Sequence, residues 1–282
     1  MYEVIFLLVL TGIWILFATI QDLRKREIAD WLNFSLIIFA LGFRFFYSLF
    51  SDGDFAFFYQ GLIGVGFFFI LGNLFYYSHV FAGGDAKLLI ALGAILPLSN
   101  SFFTNLWGLL IFLFIFSVVG TIYGLAWSFI LLFKNFKKCN KEFHLRFNKK
   151  KKWFFFYMLL GLFLMILGFF LDIFFFMGIV IFVLPFFHLY AKVIDDVCMI
   201  KKVESRNLVI GDWLYKDLKI KKQMIKVKWE GLGDKDIKLI QKNKSFVLIR
   251  QGIAFAPVFL ISFCVYILLY FLGYSFWEFY VF

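Results

Sequence analysis

Charged residues are scarce in this sequence, and histidine, cysteine and proline are rarer still. Charged residues make up 17% of the 282 positions, and histidine, cysteine and proline occur three times each. The cysteines (Cys139, Cys198 and Cys264) have no metal-ligand spacing and are odd in number, which argues against a disulfide framework and against a Cys/His zinc site. The shortage of histidine also argues against Ser-His and Cys-His nucleophilic mechanisms.

Apolar residues dominate what is present. They make up 63% of the chain, with a mean hydropathy of +0.89, whereas soluble domains are about 45–50% apolar. The sequence therefore predicts an all-α polytopic membrane protein with about eight spanning helices and six as the alternative count, since each needs about 20 apolar residues. The expected spans are 3–20, 32–50, 57–80, 87–99, 104–133, 153–171, 174–192 and 252–280.

Lysine and arginine are concentrated in segments that alternate with segments lacking both. The basic segments are 22–30, 134–152 and 193–251, and the segments without basic residues are 51–56, 99–104 and the turn at Asp172. The positive-inside rule places the basic segments in the cytoplasm and both termini outside. We expect five parts: a membrane core with both aspartate motifs (1–133), a basic cytoplasmic loop (134–152), a membrane hairpin (153–192), a small cytoplasmic α+β subdomain (193–251) and a last transmembrane helix (252–282).

Two aspartates lie at the ends of apolar stretches. Asp22 closes the first stretch and Asp85 follows the third, so the predicted topology puts both at the cytoplasmic ends of their helices. Ionisable groups at membrane depth are functional candidates by default. Two carboxyl groups in one site share a proton, so that one takes a proton from water while the other donates one. This pairing predicts acid–base peptide hydrolysis without a metal, a cofactor or a covalent intermediate.

The neighbours of Asp85 fit the same interpretation. Gly83 and Gly84 precede it, and without Cβ atoms they let a substrate backbone approach and permit a positive φ where the chain enters a helix. Lys87 follows closely enough to act on the charge of Asp85 or to contact a substrate carbonyl. An aspartate at a helix end is often only a cap or an interfacial group, so a structural role stays open for Asp22 or Asp85 taken alone.

Both aspartate segments resemble the motifs of the type IV prepilin peptidases, a family of Gly-x-Gly-Asp membrane proteases. The first motif of that family is similar to 22–33 (DLRKREIADWLN), and the second, Gly-x-Gly-Asp followed by x-Lys, is similar to 82–87 (AGGDAK). Three downstream stretches resemble the archaeal branch, the preflagellin (prearchaellin) peptidases: 211–214 (GDWL), 229–232 (WEGL) and 252–260 (GIAFAPVFL).

The resemblance implies a multi-pass aspartic endopeptidase of the cytoplasmic membrane. Such an enzyme removes the short, positively charged leader, or class III signal peptide, from precursors of archaellins or type IV pilin-like proteins at the cytoplasmic face. Asp22 and Asp85 would form the catalytic dyad, and Asp212 and Glu230 would contact the precursor. The implied partners are these precursors and membrane lipid, with no nucleic acid, no metal and no cofactor. The oligomeric state stays open.

Three alanines depart from the family pattern. Ala82 replaces the first glycine of the second motif, while Ala29 and Ala254 replace prolines. Both carboxylates are retained, but the changes leave open a non-catalytic filament-assembly paralogue of the peptidase. A proton-coupled transporter is the other alternative. It would need polar residues through several spans, and the fourth to seventh spans are nearly bare of them.

A second Gly-x-Gly-Asp occurs at 231–234. It lies among lysines in the 193–251 segment, away from any apolar stretch. We interpret it as a turn followed by a small helix that Asp234 caps.

Overall fold

The computed structural model of the chain describes residues 2–51, 54–220, 223–228 and 231–272. Within these ranges the helices are α1 (Tyr2–Lys25), α2 (Asp30–Phe50), α3 (Ala56–Tyr77), α4 (Gly83–Gly93), α5 (Phe102–Lys134), α6 (Phe136–Lys149), α7 (Lys151–Leu167), α8 (Asp172–Cys198), α9 (Asp234–Asn243) and α10 (Ala256–Phe271). The strands are β1 (Ile200–Glu204), β2 (Trp213–Leu214), β3 (Leu218–Ile220), β4 (Gln223–Ile225) and β5 (Phe246–Arg250).

Five of these helices, α1, α2, α3, α5 and α8, are long and apolar enough to cross a membrane. Helix α10 is also apolar but has 16 residues. The chain is thus a polytopic, mainly helical membrane protein, as its composition predicts. Helix α4 lies where a span is expected over 87–99, but it has 11 residues. At 1.5 Å per residue it rises only about 16 Å, roughly half the thickness of a hydrocarbon core.

Contacts between residues divide the chain into two compact units, the first of which comprises 1–124 and 253–282. Its core combines residues of α1, α3, α4, the first part of α5 and α10. Helix α4 contributes Leu88, Leu89 and Leu92, all of which are almost inaccessible. The residues just after it, 94–96, are equally buried. The carbonyl groups at the C-terminal end of α4 therefore need partners within the protein.

Glycine lets α3 approach α4 at backbone distance. A Cβ atom on Gly64 of α3 would overlap the carbonyl oxygen of Gly93 in α4, and a Cβ on Gly93 would overlap that of Gly64. Nearer the other end of the contact, a Cβ on Gly72 would come 3.1 Å from the carbonyl oxygen of Ala86. Small residues permit such close crossings in membrane helices, so these glycines set the separation of α3 and α4.

The second unit, 125–252, contains the end of α5, the α7–α8 pair and the small sheets. The charge pattern leads us to expect a loop over 134–152, but the structure has the helix α6 over most of it. The reason is an apolar stripe: Cys139, Phe143 and Phe147 pack together with residues of α7 and α8. Helix α8 continues to Cys198, so the strands begin seven residues later than the expected start of the subdomain at residue 193.

The strands form two small antiparallel sheets. One has the order β1-β5-β2, and the other is the β3–β4 pair. Helix α9 covers a core of nine buried residues through Ile237 and Ile240. Its N-cap is Gly233, and no side chain caps it, so the expectation that Asp234 is the cap is wrong.

Candidate active site

Asp22 lies near the end of α1 and is 6% exposed. Its Oδ2 accepts a hydrogen bond from the backbone N–H of Ala256 at 2.8 Å, and Ala256 is the first residue of α10. The N–H groups of a first helical turn have no partner within their own helix and carry partial positive charge. A carboxylate is a natural acceptor at this position, so Asp22 is held at the N-terminal end of α10.

Two hydroxyl groups hold the chain around that end of α10. Thr19 lies one turn before Asp22, and its Oγ1 donates to the carbonyl oxygen of Ala256 at 3.4 Å. The Tyr123 hydroxyl of α5 donates to the carbonyl oxygen of Ala254 at 2.9 Å. Residues from α1 and α5 thus fix the backbone that binds Asp22.

Asp85 lies in the first turn of α4 and is partly buried. The turn between α1 and α2 packs against this start of α4. A Cβ on Gly84 would come 3.2 Å from the Cβ of Ile28, and the Asn33 side chain donates to the carbonyl oxygen of Gly84 at 3.4 Å. The start of α4, which carries Asp85, therefore lies beside the turn that follows Asp22.

The structure brings together the chain segments that carry the two aspartates. Phe81, just before α4, packs against Phe255, just before α10, with ring centroids 5.7 Å apart. Since α10 begins at the carboxylate of Asp22, the starts of α4 and α10 and the end of α1 converge on one site. Two carboxyl groups so placed can exchange protons with a shared water molecule.

Gly83 and Gly84 lack the positive φ that we expect from the sequence. Among the described residues the glycines with positive φ are Gly211 and Gly231, so the backbone prediction for the pair before Asp85 is wrong. The need for glycine at position 84 comes from packing against Ile28. A Cβ on Gly83 would meet the ring of Tyr76 at 3.8 Å, an ordinary contact.

Lys87 pairs with a different carboxylate from the one that the sequence suggests. Its Nζ lies 2.6 Å from Oδ1 of Asp30, at the start of α2. Both side chains are well exposed, and such a pair contributes about 1 kcal/mol or less. Lys87 thus bridges α4 to α2 next to the two aspartates.

Asp212 belongs to the second unit and has a local role there. Its Oδ2 accepts from the N–H of Val209 at 2.9 Å, and its carbonyl oxygen accepts from the N–H of Leu232 at 2.9 Å. Burial raises the pKa of Asp212 above its ordinary value, while the Val209 hydrogen bond opposes that shift. These contacts hold a turn. Glu230, the other expected contact of the precursor, lies outside the described residues.

The sequence reasoning missed Arg44 of α2, a fully buried side chain. The rule that selected the aspartates applies equally to a basic residue inside an apolar stretch, and Arg44 is the basic residue within 32–50. For metal binding, no group of three or more His, Cys, Asp or Glu side chains comes together in the described part of the chain.

Comparisons with known proteins find similarity over the part of the chain that contains this site. Residues 9–125 match the type IV leader peptidase family. The chain is 31% identical over 155 residues to a preflagellin peptidase of Methanococcus maripaludis, covering 51% of this chain and 66% of that protein. It is 37% identical over 89 residues to a preflagellin peptidase of Methanocaldococcus jannaschii, covering 32% and 37%.

The chain thus spans less than two thirds of the length of either curated relative. No solved structure matches it significantly. The matched range contains both Asp22 and Asp85, so the part of the chain that carries the aspartates is similar to the type IV leader peptidase family.

Proposed function

We propose that this chain is a membrane aspartic endopeptidase that removes the leader from archaellin or type IV pilin-like precursors at the cytoplasmic face. The observation that carries the proposal is the convergence of the end of α1, which carries Asp22, and the start of α4, which carries Asp85, inside the range that matches the family. The names of the two relatives support the choice of precursor.

In the proposed mechanism the two carboxyl groups divide the proton transfers. One aspartate takes a proton from a water molecule, whose oxygen attacks the carbonyl carbon of the scissile peptide bond. The other aspartate donates its proton to the carbonyl oxygen, which gives a tetrahedral diol. The first aspartate then passes the proton it took from water to the leaving amine as the C–N bond breaks, and the second aspartate regains a proton from a diol hydroxyl, so both return to their starting states. The apolar segment of the precursor lies along the spanning helices, and its positively charged leader lies in the cytoplasm, in the orientation that the basic segments predict.

The departures from the family pattern are compatible with activity. Ala29 stands where the family has proline, and its N–H, which proline lacks, donates to the side-chain oxygen of Gln21 at 3.1 Å. Ala82 is the exposed N-cap residue of α4, so its methyl group displaces no neighbour. Ala254 supplies the carbonyl oxygen that Tyr123 binds. All three alanines leave the carboxylates of the site in place.

The test is co-expression of the full chain with an archaellin-type or a pilin-type precursor, whose size is followed on a gel. We expect Asp22→Asn and Asp85→Asn each to abolish cleavage, because each removes one of the two proton carriers. The matched control is Asp234→Asn, which changes the second Gly-x-Gly-Asp sequence and should leave cleavage intact.

Membrane insertion of every variant is checked by fractionation. Substantial cleavage by either dyad variant would refute the assignment of that aspartate. If the wild-type chain leaves both precursor types intact, the non-catalytic assembly role becomes the better explanation.

A further inference from the structure

Arg44 is the largest of the fully buried side chains in the described residues, with 0% exposure. It lies on α2 and reaches the far end of α4 from Asp85. Its guanidinium donates to four backbone carbonyl oxygens: those of Phe57 at 2.7 Å, Ala94 at 2.8 Å, Ile95 at 3.0 Å and Pro97.

We propose that Arg44 is a positioning residue for Asp85: it holds the C-terminal end of α4, the short helix whose first turn carries that aspartate. The inference rests on the function proposed above. It concerns a residue that the dyad chemistry does not use and that lies at the opposite end of α4 from the reacting groups.

The buried turn that follows α4 needs hydrogen-bond donors for its carbonyl groups. The last carbonyl groups of α4 accept from the N–H groups of the turn after it. The buried carbonyl groups of that turn also need donors, and in a membrane no water supplies them. Ala94, Ile95 and Pro97 follow α4 directly and are buried. All three of their carbonyl oxygens accept from Arg44, so a single side chain supplies donors to the turn that follows α4.

The positive charge of Arg44 is also favourable at this end of α4. The C-terminal end of a helix carries partial negative charge, which stabilises a nearby cation. The guanidinium also stacks 4.1 Å from the centroid of the Phe57 ring, a cation–π contact. Its planar fork of five N–H groups can reach several carbonyl oxygens at once, which the single ammonium of lysine does less well.

By fixing one end of α4, Arg44 also affects the position of Asp85 at the other end. An 11-residue helix behaves as a short rod, so a shift at one end displaces the other. Its flank is fixed by the close contact of Gly64 with Gly93, and Arg44 fixes its end. Misplacement of a reacting group by about 1 Å can cost roughly 100-fold in rate. The hydrogen bonds of Arg44 at the far end of α4 therefore determine the position of Asp85 relative to Asp22.

The experiment uses the full chain, purified in detergent, with a precursor as substrate. We expect Arg44→Met to lower kcat about 100-fold and to change KM by less than about threefold, because the distance between the aspartates changes while the precursor still binds. Arg44→Lys keeps the charge but not the fork, and should lower kcat about tenfold.

The matched control is Ser48→Ala. Ser48 lies one helical turn from Arg44 on the same face of α2 and is 1% exposed. Its hydroxyl has no hydrogen-bond partner in the described part of the chain. We expect wild-type kcat and KM from this variant. The comparison separates a general effect of substituting a buried polar residue from the specific loss of the Arg44 hydrogen bonds.

A second readout follows α4 without any cleavage assay. A carbodiimide activates a carboxylate and joins it to a neighbouring amine as an amide, with release of a urea. The Lys87 amine and the Asp30 carboxylate are 2.6 Å apart, so this crosslink reports whether the start of α4 stays beside α2. Mass spectrometry should find a several-fold lower crosslink yield in Arg44→Met than in the wild-type chain or in Ser48→Ala.

Wild-type kcat together with a wild-type crosslink yield in a folded Arg44→Met chain would overturn the proposal. If that variant does not insert into the membrane, Arg44→Lys decides, and unchanged kcat and crosslinking there would overturn it as well. If the wild-type chain cuts no precursor, the proposed function fails, while the crosslink yields still test the hold of Arg44 on α4.

Discussion

Gly83 and Gly84 are neighbours in the chain but have different surroundings. A Cβ on Gly84 would press against Ile28 at 3.2 Å, whereas a Cβ on Gly83 would meet only the ring of Tyr76 at 3.8 Å. Ile28 belongs to the turn that leads from Asp22 to α2. Glycine at position 84 therefore lets the Asp22 turn and the Asp85 helix approach each other.

We expect Gly84→Ala to lower precursor cleavage at least about tenfold, because the added methyl group pushes α4 away from the α1–α2 turn and separates the carboxylates. Gly83→Ala serves as the matched control and should retain most of the activity. Cleavage rates are compared at equal amounts of inserted protein. Equal activity of the two variants would contradict a packing role for Gly84.

At the scale of helices, the close crossing of α3 and α4 depends on a few glycines. Gly64 faces the carbonyl oxygen of Gly93 and the ring of Pro97. Gly66, two residues along the same helix, has no atom within 4 Å of the position where its Cβ would lie. Alanine at position 64 therefore tests the helix crossing, whereas alanine at position 66 tests the effect of the same change on α3 alone.

Gly64→Ala should destabilise the protein by about 1–3 kcal/mol, since the backbones of α3 and α4 have to move apart to admit the methyl group. Gly66→Ala should be neutral or slightly stabilising, because alanine favours the helix. The measurement is the thermal unfolding temperature in detergent. A lower Tm for Gly66→Ala than for Gly64→Ala would show that the crossing is not the constraint.

Helix α6 shows what a count of charges overlooks. Nine basic residues over 134–152 indicate the cytoplasmic side and suggest a loop. The same segment places Cys139, Phe143 and Phe147 at intervals of four residues, and these side chains share one face and pack in a common cluster. The spacing of these apolar residues is that of a helix, but the many basic residues between them led to the expectation of a loop.

At the scale of the whole molecule, composition predicted the class of the protein and the carboxylates of the candidate site, because apolar length and isolated acids are local properties of a sequence. The surroundings of those carboxylates depend on tertiary packing. Nothing near Asp22 in the chain indicates that Ala256 supplies its hydrogen bond, 234 positions away. The sequence shows Arg44 as a charge inside an apolar stretch. Its carbonyl partners could not be predicted, because they depend on where α4 ends and the apolar pattern overestimated the length of that helix.

The N-terminal match to the family ends at residue 125, yet Asp22 also depends on α10. We expect Ala256→Pro to lower precursor cleavage about tenfold or more. Proline fits the first position of a helix but has no N–H to bind the carboxylate. Ala256→Gly retains that N–H and is the control. The two variants are compared by initial rates of cleavage and by Tm in detergent.

A rate for Ala256→Pro equal to that of Ala256→Gly would show that the hydrogen bond to Asp22 is dispensable. A low rate in both variants, with a lower Tm, would instead assign the loss to packing at the buried position 256.

The hydrogen bond between Asp22 and Ala256 also has a consequence in time. Chains are synthesised at about 5–20 residues per second, so Ala256 is added roughly 12–50 s after Asp22. During that interval the end of α1 has already left the ribosome while its partner does not yet exist. The site is therefore assembled only after the second unit has been made, and a chain that stops before residue 256 cannot carry the completed site.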